Sequence, residues 1–360
     1  MSLIFSKTRL GSLTLQNRLV MAPMTRCRAT NNVPNELMTE YYSQRSSAGL
    51  IVTEGTATSP DALGYARIPG IFTPEQVQAW KSVTTEVHKG GAKIFVQLMH
   101  TGRIAHPLNL PAGGRVLAPS PVAANERMYT DSEGMKELPV PTEMTGEDIR
   151  QAIHGFAQAA KNALAAGFDG VELHGANGYL LEQFIRPSSN RRTNAYGGAI
   201  EHRSRFVLEV VAAVSDAIGP DRVGIRLSPY GVFNDMPLYD AMESDYGYLA
   251  KMLNATKALT YIHLVDHSAM GAPQVPASIK ETFRKEFRGT LILSGGYDAR
   301  SAENDLAKGK ADLIAVGRLF LANPDLPARW RRDATLNAPD FETLYTPGVK
   351  GYTDYPVLAS

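Results

Sequence analysis

The chain has 360 residues, with 37 Lys plus Arg against 36 Asp plus Glu and a single cysteine. So even a balance gives no strong field for nucleic acid or an anionic membrane, and small neutral or mildly anionic partners fit better. The lone Cys27 excludes an internal disulfide, a cysteine-ligated iron–sulfur cluster and a thiolate zinc site within one chain, so demanding redox chemistry would need an organic cofactor.

The first residues lack the apolar core and cleavage site of a signal peptide, and no apolar run approaches the ~20 residues that span a bilayer, which reads as a cytoplasmic protein without a membrane segment. No Ser/Gly/Pro-rich linker divides the chain, so residues 1–360 are expected to form one domain.

In chain order, short runs rich in Val, Ile and Leu end in polar or glycine residues at 19–24, 50–55, 93–99, 171–174, 223–228, 261–266, 291–295 and 311–317. Segments with helical periodicity lie between them, at 76–89, 147–166, 201–218, 244–256, 277–287 and 299–308. Eight alternating units predict an α/β fold, a parallel (β/α)8 TIM barrel, with its active site where the strands end. Residues 101–145, rich in Pro and Gly with a charged tip at 125–134, break the rhythm after the third run and read as a lid over that face.

Polar residues gather at the run ends: Thr25, Glu54, Gln97, His174, Asn177, Arg226 and Arg318. Gln97 and Arg226, inside strand runs, call for a polar ligand or an internal ion pair. The three-position step from His174 to Asn177 makes one tight turn, so an imidazole and a carboxamide can converge on one oxygen, with Tyr179 at the entry to the next segment. Ser294, Gly295 and Gly296, coupled to Gly317 and Arg318 one unit later, resemble the usual phosphate site of such barrels. His263 and His267 have a metal-like spacing but straddle a strand end, where they would not share a face, which favours a structural or loop role.

Several motifs occur in a telling order: NRLVMAPMTR at 17–26, EYY at 40–42, QLMHTGR at 97–103, GFDGVELHGANGYLL at 167–181, NRRTNAYGG at 190–198, GRLFLANPD at 317–325 and GYTDYP at 351–356. In this the chain resembles the old yellow enzymes, FMN-dependent ene reductases on a (β/α)8 barrel. The resemblance implies non-covalently bound FMN, lined by Pro23, Met24, Thr25, Ala57, Gln97 and Arg226, with Ser294, Gly295, Gly296, Gly317 and Arg318 around its phosphate. It implies NADPH or NADH as a transient hydride donor, which agrees with the lack of a Gly-x-Gly-x-x-Gly after a strand.

The implied substrates are electrophilic alkenes: enones, enals, maleimides, nitroalkenes and quinones, with nitro and nitrate ester reduction as a possible extension. His174 and Asn177 would hold the substrate oxygen, Tyr179 would supply the proton, and Tyr65, Met99 and Tyr345 would wall the pocket. Thr25 stands where one branch of the family has cysteine, which makes Cys27 a packing residue, and Met99 stands where many relatives have tryptophan.

Each residue also has an ordinary reading: Thr25 as a helix cap, Gln97 as a strand-backbone partner, Arg226 as the partner of Glu172. A flavin-binding barrel without turnover, a store or sensor, is the alternative function, and a flavin-free barrel acting on sugar phosphates is a third. The related dienoyl-CoA reductases need an iron–sulfur cluster and further domains. The expected assembly is a monomer or homodimer.

Overall fold

The computed structural model describes residues 2–359. Eight strands pair in parallel and close on themselves: β1 (Leu19–Met21), β2 (Leu50–Ala57), β3 (Lys93–Met99), β4 (Gly170–Gly175), β5 (Val223–Leu227), β6 (Tyr261–Val265), β7 (Thr290–Ser294) and β8 (Leu313–Val316). The expected TIM barrel is therefore present. Nearly every strand residue is buried, because one face packs on the outer helices and the other fills the barrel.

Among the described residues eleven α-helices form: α1 (Glu36–Ser43), α2 (Pro74–Lys89), α3 (Gly146–Ala165), α4 (Leu180–Ile185), α5 (Ile200–Arg203), α6 (Arg205–Ile218), α7 (Met242–Thr256), α8 (Ala277–Glu286), α9 (Ala299–Ala307), α10 (Arg318–Ala322) and α11 (Leu326–Arg332). Capping boxes start α2 at Thr73 with Gln76, and α3 at Thr145 with Asp148. The segment expected as one helix over 201–218 breaks at Ser204 into α5 and α6.

A hairpin at the N-terminus, Thr8–Leu10 with Leu13–Leu15, seals the end of the barrel opposite the site. Its Leu10 and Leu15 pack into the interior with Val20, Leu50, Phe95, Tyr261, Ile292 and Leu313. Gly224 on β5 makes room for the Tyr261 ring, which lies where a Cβ would be.

The excursion at 101–145 is tied down. The Arg103 guanidinium, 1% exposed, donates to the carbonyls of Val122 and Ala123 in the lid and of Asn234 and Asp235 in the loop after β5. Arg192 donates to the carbonyls of Pro119 and Met144. The lid carries its own hairpin, Arg127–Thr130 with Gly134–Glu137, and buries Ala124, Met128 and Leu138 in one apolar cluster with Met99 and Tyr179.

Candidate active site

The strand ends bring the polar residues onto one face. His174, on β4, pairs in register with Arg226 on β5, and both are buried. The Arg226 side chain makes no hydrogen bond or ion pair with any described residue, and its Nε is fully enclosed. The internal pair with Glu172 is thus absent. Glu172 is satisfied otherwise, accepting from Gln97 Nε2 at 2.8 Å, Tyr261 Oη at 3.0 Å and His263 Nδ1 at 2.9 Å. Burial pushes its carboxyl up, but His263, Arg226 and Gln97 outweigh that and hold it below the usual range. His263 also meets Ser294 Oγ at 3.1 Å, so its role inside the barrel is structural.

A cation with no acceptor is costly inside a protein. Arg226 therefore fits an anionic, acceptor-rich partner at the barrel mouth. Other unpaired groups agree: among the described residues the Thr25 hydroxyl has no hydrogen bond, Gln97 Oε1 accepts none, and His174 Nδ1 is buried without a partner. Thr25 caps no helix, since α1 begins at Glu36 with Asn35 as its cap. A planar ring system with donors and acceptors along one edge matches this set. Pro23 and Ala57 are buried beside it, with Met24 half-buried.

Ser294 ends β7 with Gly295 and Gly296 just beyond it, and Gly317 precedes α10. Gly295 has φ 142°, and a Cβ there would lie 2.6 Å from Asp266 Cβ and O, while one on Gly296 would lie 2.8 Å from Ala269 Cβ. These glycines are needed for the close approach of the loop after β6, and they also leave backbone exposed for a phosphate. Arg318 donates to Ala269 O at 2.9 Å on that same loop.

The turn after β4 holds the remaining chemistry. Burial, with Arg226 nearby, keeps the His174 imidazole neutral, well below its ordinary pKa. The rings of His174 and Tyr179 meet edge to face at 4.8 Å. Burial pushes the Tyr179 phenol up to about 12, and its hydroxyl lies 2.9 Å from that of Tyr65. Asn177 adopts a left-handed φ of 59°. Beneath the turn, Glu182 accepts from Gly178 N at 2.8 Å, Ser228 Oγ at 2.9 Å and Tyr246 Oη at 2.7 Å, and pairs with Arg186 at 2.9 Å.

Met99 is only 1% exposed, and its sulfur fills the space 2.6 Å from where a Cβ on Gly55 would stand. Tyr345 is 60% exposed, with its carbonyl taken by Arg67. Of the three expected wall residues, Tyr65 alone bonds directly to the central group. Cys27 is buried in the cluster with Met99 and Tyr179, and its thiol is pushed up to about 12 by burial.

Sequence reasoning missed Glu182, Ser228, Asn234 and the contact of His267 with Asn177. Ser228 and His267 lie one and two residues past a strand end, on the catalytic face, and that position was the usable signal, whereas Asn234 and Glu182 lie further along their connections.

The sequence matches the family described as "NADH:flavin oxidoreductase / NADH oxidase family" over residues 3–337. The chain belongs to that family. Among the relatives of these flavin oxidoreductases, "12-oxophytodienoate reductase 1" of Oryza sativa subsp. japonica is 44% identical over 97% of this chain and 92% of its own length. Morphinone reductase superposes with a TM-score of 0.95 at 43% identity, covering 99% of this chain and 96% of that one. An old yellow enzyme homologue from Zymomonas mobilis gives 0.94 at 39% identity, covering 99% of both. The resemblance to old yellow enzymes thus holds, and the chain is an FMN-dependent oxidoreductase that draws on a nicotinamide hydride donor. No helix among the described residues is long and apolar enough to cross a membrane, and none of their His, Cys, Asp or Glu clusters could hold a metal ion.

Proposed function

We propose that this oxidoreductase reduces the activated C=C bond of α,β-unsaturated carbonyl and nitro compounds at the end of β4. The observation that carries the reading is the pairing of a buried neutral imidazole free of protein partners, His174, with a phenol in edge contact, Tyr179. Binding a flavin requires neither, so a store or sensor has no use for them.

In this reading Pro23, Met24, Thr25, Ala57, Gln97 and Arg226 hold the ring system of FMN, and Ser294, Gly295, Gly296, Gly317 and Arg318 hold its phosphate. FMN supplies reversible two-electron transfer between a nicotinamide and an alkene. His174 and Asn177 donate to the carbonyl or nitro oxygen, and those bonds strengthen as charge develops there. Removing one donor of this kind typically costs about 3 kcal/mol, roughly a hundredfold in rate. Tyr179 gives its proton to the carbon next to the activating group and regains it from solvent. Arg226, buried at the barrel mouth without a protein acceptor, would favour negative charge on the ring system when it is bound.

Enones, enals, maleimides, nitroalkenes and quinones share this polarised oxygen and form the proposed substrate class. A cytoplasmic setting, where reduced nicotinamides are made, and a single-domain monomer or homodimer complete the proposal. The test is the visible spectrum under anaerobic conditions, before NADPH, after it, and after adding cyclohexenone. Bleaching followed by recovery of the yellow colour supports the reading. Colour that never bleaches with NADPH or NADH would leave a binding protein, and bleaching without recovery by any of these alkenes would remove the substrate class.

A further inference from the structure

Asn177 is anchored at three points, two from the segment after β5 and one from the loop after β6. Its backbone N–H donates to Ser228 Oγ at 2.8 Å, and its carbonyl accepts from Asn234 Nδ2 at 2.6 Å. The third contact is to its side chain: His267 Nε2 lies 2.7 Å from Asn177 Oδ1. A carboxamide has one accepting and one donating end, and turning it by half a rotation exchanges them. The oxygen can face His267 only if His267 donates, and the amide nitrogen then points away from it. Among the described residues Asn177 Nδ2 donates to nothing.

His267 is itself held in place. Its ring rests on Phe233 at 4.6 Å, in a T-shaped contact. Its carbonyl accepts from Met270 N at 2.8 Å, and the preceding Asp266 is fixed by Lys280 at 2.7 Å and by Ser268 N at 3.0 Å. Arg318 adds its bond to Ala269 two residues on. The loop after β6 is therefore rigid enough to impose an orientation on a neighbour.

We infer that His267 is a positioning residue: by donating from Nε2 to Asn177 Oδ1, it fixes the carboxamide with its NH2 group toward the substrate oxygen. The inference rests on the donor role given to Asn177 above. His267 touches no reacting atom. Its effect is to keep one of two amide orientations populated, through a single hydrogen bond worth about 1 kcal/mol, or roughly fivefold. The amide would otherwise present its oxygen to an oxygen of the substrate for part of the time, which repels the ligand.

The experiment is calorimetric titration of the oxidised, FMN-loaded protein with 4-chlorophenol, whose ionised oxygen stands in for the enolate. His267→Leu should weaken binding about twofold, as the competent amide orientation falls from about five in six to about one in two, and His267→Gln, which keeps an N–H donor, should bind like the parent. In an Asn177→Ala background, His267→Leu should leave binding unchanged, because there is no amide left to orient. Equal loss in both backgrounds would overturn the inference, since His267 would then act on the ligand directly or through the fold. So would unchanged binding in His267→Leu when Asn177→Ala binds weakly. If Asn177→Ala itself binds like the parent, the donor role of Asn177 fails instead. Should His267→Leu lose FMN, His267→Met provides a second removal of the donor with the same expected pattern.

Discussion

The hydroxyls of Tyr65 and Tyr179 lie 2.9 Å apart, and one hydrogen joins them. If Tyr179 is to give its own proton to a substrate carbon, Tyr65 must be the donor in that bond. A donor of this kind stabilises the phenolate left behind, partly offsetting the burial that holds the Tyr179 phenol near 12.

Tyr179→Phe is expected to leave reduction of the bound flavin by NADPH within about twofold of the parent, while slowing reoxidation by cyclohexenone. A positioned acid is worth about 10²–10⁴-fold. Anaerobic stopped-flow absorbance separates the two half-reactions, and equal loss in both would remove Tyr179 from the proton-donor role.

For Tyr65→Phe the expectation is a smaller loss in the same half-reaction, about fivefold, the worth of one neutral hydrogen bond. Reoxidation as fast as the parent's would show that Tyr179 needs no help from it.

Arg226→Met addresses the unpaired cation. The apoprotein should melt no lower than the parent, because a buried charge with no hydrogen bond is replaced by an apolar chain of similar length. FMN should bind at least tenfold more weakly, since a charge-assisted hydrogen bond contributes about 1.5–3 kcal/mol. Melting curves of apoprotein and a fluorescence titration with FMN test the two halves separately; a destabilised apoprotein with unchanged FMN affinity contradicts both.

Met99→Trp must displace a thioether already packed over Gly55. Overpacking of this kind costs about 1–3 kcal/mol. The product enantiomer ratio on substituted enones should shift more than FMN affinity does, because Met99 shares its cluster with Tyr179. An unchanged ratio across several substrates, measured by chiral chromatography, would remove Met99 from the pocket wall.

Glu54 gives a pH dependence. Burial raises its carboxyl from 4.5 to about 7, against the opposing bonds from Arg26 N and Tyr42 Oη. A group protonated more readily when folded stabilises the fold fully below its unfolded pKa, and that contribution is lost as pH rises through its folded pKa. Between pH 4.5 and 7, the parent should therefore lose stability relative to Glu54→Gln, by at most about 3 kcal/mol. Urea unfolding of both proteins at pH 5 and pH 8 measures the gap, and a gap that does not move with pH would mean that Glu54 is ionised throughout.

The barrel was legible because each strand run is short and largely apolar, and most sit between longer periodic segments. The ends of elements were less so. The run 19–24 stops pairing at Met21, and Pro23, just beyond it, has no N–H to extend a ladder. The short helices α1, α10 and α11 span little more than two turns at most, too few for a period to emerge. At the site, His174, Tyr179 and Arg226 stood out as polar groups at strand ends. His267 stood at a strand end too, but its spacing from His263 drew attention to metal binding, and its partner Asn177 lies 90 residues away in sequence. Contacts made by loops after different strands leave no local pattern. Glu182 was hidden for another reason: on an apolar short helix it looks like a surface residue, and only the fold reveals the buried Arg186 beneath it.

The left-handed backbone of Asn177 also narrows the alphabet open to that position. β-branched and bulky residues are strained at a φ of 59°, whereas Asn, Asp, His and Gly are tolerated there. Of those four, glycine offers no side chain and an ionised aspartate would repel an anionic oxygen. Only asparagine and histidine remain as donors, so any exchange of the substrate-holding group at this turn, by drift or by engineering, is a choice between two residues.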